Sequence, residues 1–282
     1  MKHIKIIENN LTMDLLEKTC QHVSVESYAD GVGLEFFSEN FTKIASSIAS
    51  VTSQSFNKVT SLVTVPFVFD FNFESKVKNL NFAAIDTLKI TVPEGFAGSA
   101  LAYCQVLIET MEHSNNLIGN VINPFNQYIS NLISDKSFQS AYQSVPHHLI
   151  VSNQKRDNLN KETAKFFKPR TTSYGKVSEF YHSSDEIALT DQKISEISKL
   201  LEATKPIDVR KTINDSVELV NAFQKMIDSG QVTGISPSNM RVLSETCLAI
   251  AKEIEFYSVA RYRADSFINC FKQSRDQIKK VM

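Results

Sequence analysis

The sequence predicts a mainly α-helical fold: an antiparallel helical bundle with a long C-terminal helix and a small β hairpin or sheet inserted in the N-terminal half. Three observations predict it. From residue 183 onward, apolar residues recur every three or four positions, and each run is bounded by a helix cap or a proline. The run after Ser236-Pro237 continues without a skip to the C-terminal region, some ~40 residues or ~60 Å of helix. Between residues 67 and 92 the period changes from three or four to two, which is the spacing of a strand.

Residues 1–134 read as a mixed part. KHIKII has the look of a short strand, and Leu11 to Cys20 of a short helix after Asn10. Asp30-Gly31 is a turn signal. Phe37, Phe41, Ile44, Ile48, Val51, Phe56, Val59 and Val63 mark a helix over 35–63, rich in Ser and Thr and so dependent on packing. Phe67, Phe69, Phe71 and Phe73 alternate with smaller or polar residues and predict a half-buried strand near 67–73. A second strand is predicted near 85–92, with Leu88, Ile90 and Val92 on one face. Pro93 and Glu94 end it. Leu101, Cys104, Ile108, Met111, Ile118 and Ile122 then form one helical stripe, which Pro124 breaks or kinks before a shorter helix from Phe125 to Ile133.

Residues 135–180 read as an irregular connector or arm, with a helical piece from about Arg156 to Phe167. Residues 181–282 read as three helices. The first is capped by Ser183 or Ser184, carries Asp185 and Glu186 in its first turn, and buries Ile187, Thr190, Ile194, Ile197 and Leu201. The second follows Pro206 with Asp208 as its cap, buries Ile213, Val217, Val220, Phe223 and Ile227, and stops at Gly230. The third is the long one. Its heptad-type seam also takes in Cys247, Ala264 and Ile278, and Met240, Leu243, Ile250, Ile254, Tyr257, Ile268 and Phe271 are its candidate protein interface. Arg261 and Arg275 interrupt the seam, where they set register or meet solvent. A helix longer than its neighbours needs cover for its extra turns, from the N-terminal part or from another subunit.

Composition narrows the function. Lys and Arg total 30 against 31 Asp and Glu, a net charge of −1, so the basic excess of a duplex-binding domain is missing. Cys20, Cys104, Cys247 and Cys270 are far apart and form neither a disulfide framework nor a zinc pair. They read as reduced, mostly buried thiols in an intracellular or particle-enclosed protein. No apolar run reaches the ~18 residues of a membrane span, and MKHIKIIENN turns polar too early for a secretory signal.

Chemical motifs are sparse. His147-His148 are adjacent, so their side chains diverge, and no H-E-x-x-H accompanies them. Glu109, Glu112 and His113 do not form the E-x-x-H of a carboxylate-bridged metal bundle. Gly31-x-Gly33 does not continue into a dinucleotide fingerprint, and no phosphate loop or G-x-S-x-G is found. Gly95 and Gly98 flank a helix start, where a tight turn or an anion fits. The sequence therefore names no catalytic, cofactor or metal residue. Lys165, Lys168 and Arg170, with Phe166, Phe167 and Tyr174, form the densest basic-aromatic segment, the mixture that suits phosphates and stacked bases. A surface arm docking on a neighbouring protein uses the same residues.

Phe-, Ser- and Asn-rich composition, long helices and the segment Ser24-Val25-Glu26 together resemble virion structural or internal head proteins of large tailed bacteriophages. Prohead proteases of such phages cut after Ser-x-Glu or Ile/Leu-x-Glu. The resemblance implies a processing site at Glu26, with Ser27 as the mature start. The same patterns recur at Ser216-Val217-Glu218, Ile194-Ser195-Glu196 and Leu243-Ser244-Glu245. The expectation is a non-enzymatic structural or assembly protein of a multisubunit particle, which associates with itself or with other structural proteins. Two alternatives stand beside it: a nucleic-acid-associated or regulatory protein using 165–174, and an enzyme whose site is assembled from distant residues.

Overall fold

The computed structural model describes residues 66–138, 141, 143–168 and 173–282. The expected elements before residue 66, including the helix over 35–63 and the cut at Glu26, lie outside the described residues, as does Arg170. The fold is a mainly α-helical bundle with a long C-terminal helix and a small antiparallel β pair.

Helix α1 is Phe71–Lys78. It replaces the strand expected near 67–73, and Asp70 is the reason. Its Oδ1 accepts from the N–H of Asn72 at 3.0 Å and of Phe73 at 3.1 Å. Two of the unpaired donors of a helix start are thereby satisfied, and the chain turns helical one residue later. The Phe alternation was never one buried face: Phe67 and Phe73 are buried, while Phe71 is exposed.

Strand β1 is Lys89–Thr91, the core of the strand expected near 85–92. Its antiparallel partner is β2, Tyr174–Lys176, which the sequence places in the connector. Lys89 stands opposite Lys176, Ile90 opposite Gly175 and Thr91 opposite Tyr174. Gly175 is required by packing, since a Cβ there would lie 2.5 Å from the ring of Phe180.

Helix α2 is Ala100–Asn115 and α3 is Asn123–Asp135. Between them Ile118–Ile122 widens into a π turn, with the N–H of Asn123 bonding the carbonyl of Ile118. Pro124 explains it. Proline has no N–H and crowds the carbonyl four residues back, so the chain widens instead of breaking. Helix α4, His147–Ala164, fills much of the segment expected to be irregular. Helix α5 is Ser184–Ala203, and the hydroxyl of Ser183 accepts from the Glu186 N–H at 3.1 Å as its cap. Helix α6 is Pro206–Asp228, so proline opens it and Asp208 sits in the first turn instead of capping it. Helix α7 is Pro237–Lys279, 43 residues.

The chain forms two compact units, interleaved along the sequence rather than consecutive. One contains Asn116–Gln154 and Pro206–Ser258; the other contains the described residues up to Asn115, Lys155–Lys205 and Val259–Met282. Helices α5 and α6 thus belong to different units, and α7 supplies residues to both. The core of the first unit joins Phe125, Ile129 and Leu132 of α3, Ile213, Val220 and Phe223 of α6, and Leu243, Ile250 and Ile254 of α7. Each such side chain contributes about 1.5–3 kcal/mol by burial. In the second unit α2 and α1 pack on α5. Phe96 stands at the centre of an aromatic cluster there, with ring centroids of Tyr103, Phe167, Phe180 and Phe267 within 5.8 Å.

Candidate functional site

The seam of α7 is consumed by its own chain. Met240, Leu243, Ile250, Ile254 and Tyr257 are buried in the core of the first unit. Ile268 and Phe271 are buried in the second, where Phe271 meets Phe67 edge-on at 5.8 Å. The surface expected to face a partner is therefore interior. Neither Arg interruption points to bulk solvent. Buried Arg261 donates to the carbonyl of Leu201, and Arg275 joins the cluster described below.

The basic-aromatic segment also divides. Phe166 and Phe167 turn inward onto Phe96 and Tyr103, with centroid separations of 5.2–6.4 Å. Exposed Lys165 pairs with Glu162 at 2.6 Å. The Lys168 backbone N–H donates to Gly95 O at 2.8 Å, while its side chain is exposed. Tyr174 is 61% exposed on β2. Exposed Lys176 and Lys89 lie opposite one another beside it. The structure thus keeps lysines and one tyrosine outside but withdraws the two phenylalanines that would stack on bases.

The remaining sequence candidates lie at two helix starts. The N–H groups of Ala97 and Ala100, at the start of α2, donate to Phe166 O and Phe180 O, so an anion at the Gly95–Gly98 turn would find them occupied. His147 and His148 open α4, and burial holds the His148 imidazole below its ordinary pKa. Among the described residues no group of three or more His, Cys, Asp or Glu side chains is placed to hold a metal. Among them also, no helix is long and apolar enough to cross a membrane.

What sequence reasoning missed is the segment 67–74 and the way it is pinned. The Phe67 N–H donates to the buried Ser198 hydroxyl at 2.9 Å. Arg275 Nη1 donates to Val68 O at 3.1 Å and to Asp191 Oδ1 at 3.2 Å, and its guanidinium lies 4.4 Å from the Phe67 ring centroid. Asp191 Oδ2 is 3.5 Å from the Asp70 N–H, and Lys279 Nζ donates to Asp70 Oδ2 at 2.8 Å. Gln192 reaches Glu74 at 2.8 Å. The Lys279 hydrogen bond, with help from the Phe73 N–H, holds the Asp70 carboxyl below the usual range. Asp191 is fully buried, and desolvation raises its pKa despite Arg275.

These contacts fix two apolar side chains outward. Val68 is 72% exposed and Phe71 is 77% exposed, with the Phe69 ring edge-on to Phe71 at 4.7 Å. The signal was in the sequence, as Arg275 and Lys279 one turn apart and Asp191 on the α5 stripe, but only the fold brings it to residues 67–74.

Comparison with known proteins finds no matching family model, no similar curated protein and no matching solved structure.

Proposed function

We propose that this chain is a non-enzymatic structural or assembly protein of a multisubunit particle, a virion component of the tailed-phage kind, which works by protein–protein contact. The observation that carries the reading is the pinned display of Val68 and Phe71. An exposed aromatic is ordinarily mobile, and ordering it on binding costs about 0.5–1.5 kcal/mol. Here the backbone on both sides is already fixed by Ser198, Arg275 and Asp70. An exposed aromatic on a fixed backbone, beside Val68 and the edge-on Phe69 ring, is what interface anchors are made of. The partner is a second copy of the chain or another structural protein of the same particle.

Sedimentation velocity tests it. Wild-type protein is expected to associate as concentration rises, and Phe71→Asp to remain monomeric with an unchanged melting temperature. Equal association by both would remove this surface from the account.

A second reading has its own observation: Tyr174 is exposed beside the facing Lys89 and Lys176. A single-stranded nucleic acid would stack on Tyr174 and neutralise the lysines, with affinity falling steeply as salt rises. Charge reversal at Lys168 and Lys176 is expected to abolish such binding in fluorescence anisotropy; an unchanged affinity sinks this alternative.

A further inference from the structure

Away from the 67–74 segment, three helices of the second unit bring polar groups together at the edge of the aromatic cluster. Helix α7 supplies Arg263 and, one turn later, Phe267, whose ring meets Tyr103 of α2 edge-on at 5.0 Å. Residues four apart share a helix face, so Arg263 lies on the face that α7 turns toward Tyr103. Helix α4 supplies Asn160 and, three residues on, Thr163. Arg263 Nη1 donates to Asn160 Oδ1 at 3.1 Å, which ties the guanidinium to α4. Tyr103 in turn packs on Phe166 and Phe167, just beyond the end of α4.

The charges here do not balance. Arg263 is largely desolvated, and burial weakens its hold on its proton. Its acceptor is a neutral amide. Neighbouring acids are engaged elsewhere: Asp157 with Arg156 at 2.8 Å, Glu162 with Lys165 at 2.6 Å, and Asp265 with Asn269 at 3.0 Å. Two hydroxyls are also buried with no partner among the described residues, those of Tyr103 and Thr163. Thr163 departs from the habit of this chain. Thr110, Thr190, Thr212 and Thr246 all donate to the carbonyl four residues back on their own helix, at 2.7–3.1 Å. The Thr163 hydroxyl does not.

A largely desolvated cation without a carboxylate, on a cluster that also holds two buried hydroxyl donors without acceptors, is matched by an anion with several acceptor oxygens. We propose that Arg263, Tyr103 and Thr163 form a binding site for the oxyanion group, carboxylate or phosphate, of a small ligand. Arg263 supplies the charge and the fork of donors that suits two oxygens. The hydroxyls of Tyr103 and Thr163 donate to the oxyanion, and Asn160 holds the guanidinium in place. This site is independent of the Val68–Phe71 surface.

Thermal unfolding of the full chain in sodium phosphate, sodium acetate and ionic-strength-matched sodium chloride tests it. A saturable rise in melting temperature with phosphate or acetate, absent with chloride, is expected, and the more effective of the two identifies the oxyanion class. Arg263→Met should abolish the response. Tyr103→Phe should leave the melting temperature in chloride unchanged and weaken the midpoint of the anion response by about ten-fold or more, as loss of a hydrogen bond to a charged group does. No saturable response in the wild type would overturn the proposal. So would a response that survives Arg263→Met, or a Tyr103→Phe variant destabilised equally in chloride, because the hydroxyl would then have an internal partner.

Discussion

Replacing Arg275 with Met removes the charge that holds the 67–74 segment while keeping much of the side chain's bulk. The magnitude follows from where its partner sits. The Asp191 carboxylate is fully buried, and without Arg275 the remaining donor described at it is the Asp70 N–H at 3.5 Å. Leaving one member of a buried ion pair uncompensated costs about 3–5 kcal/mol. Loss of the cation over Phe67 adds about 0.5–1 kcal/mol, and packing by Met returns part of it. Asp191 limits the damage by taking up a proton, because burial already raises its pKa above the ordinary value. A raised carboxyl pKa favours the folded state when protonated, so this cost appears as pH rises through the folded-state value and vanishes below the unfolded one. Arg275→Met raises that value further. The variant should therefore be about 3 kcal/mol less stable than wild type at pH 7, with the gap narrowing toward pH 4. Asp191→Asn in the same background should recover most of the loss. Urea unfolding of the four proteins of this cycle between pH 4 and 8 measures it. A loss below about 0.5 kcal/mol at pH 7, or one independent of pH, would refute the reasoning.

Three further outcomes follow from the geometry. Gly175→Ala places a methyl group 2.5 Å from the Phe180 ring, so either β2 leaves β1 or the ring shifts; about 1–3 kcal/mol of lost stability is expected in urea unfolding. Lys279→Met removes the main cause of the lowered Asp70 pKa. The stability that Asp70 contributes is present above its unfolded pKa and lost as pH falls through the folded one, so wild type and variant should differ at pH 7 and converge in acid, as urea midpoints across pH would show. Native-state thiol labelling should be slow at both Cys104 and Cys270 but faster at Cys270, which is partly exposed with its pKa pushed up to about 11, than at the fully buried Cys104.

The parts of the fold that were legible in the sequence are those set by local chemistry. Ser183 capping α5, Gly230 ending α6 and Ser236-Pro237 opening α7 each act within a few residues. The buried faces of α5 and α7 follow from periodicity alone. What stayed hidden depends on distant partners. Strand β2 is three residues of ordinary composition and exists because β1 pairs with it. The Phe67–Phe73 run shows period two, yet Asp70 interrupts it with a cap, and burial is decided by Arg275, Ser198 and Phe271 far along the chain. The α7 seam is legible as an apolar stripe, but the sequence offers it as a protein interface, whereas the structure buries it within the chain. Its cover was not legible, because the two units are interleaved, and α3 and α6 in one and Phe67 in the other come from segments the sequence presents separately. For the same reason Phe166 and Phe167 looked like a stacking surface: nothing local tells an aromatic facing Phe96 from one facing a base.

The central claim, that Val68 and Phe71 are held outward to anchor an assembly, is tested most directly by the absolute mass of the purified chain, from light scattering on gel filtration at low and high salt. The account predicts a closed oligomer, or a defined complex with a particle partner, that survives high salt because its anchor is apolar, and that is lost in Phe71→Asp. A mass near 31.7 kDa at every concentration and salt, with Phe71→Asp indistinguishable from wild type alone and in the presence of particle proteins, would contradict it.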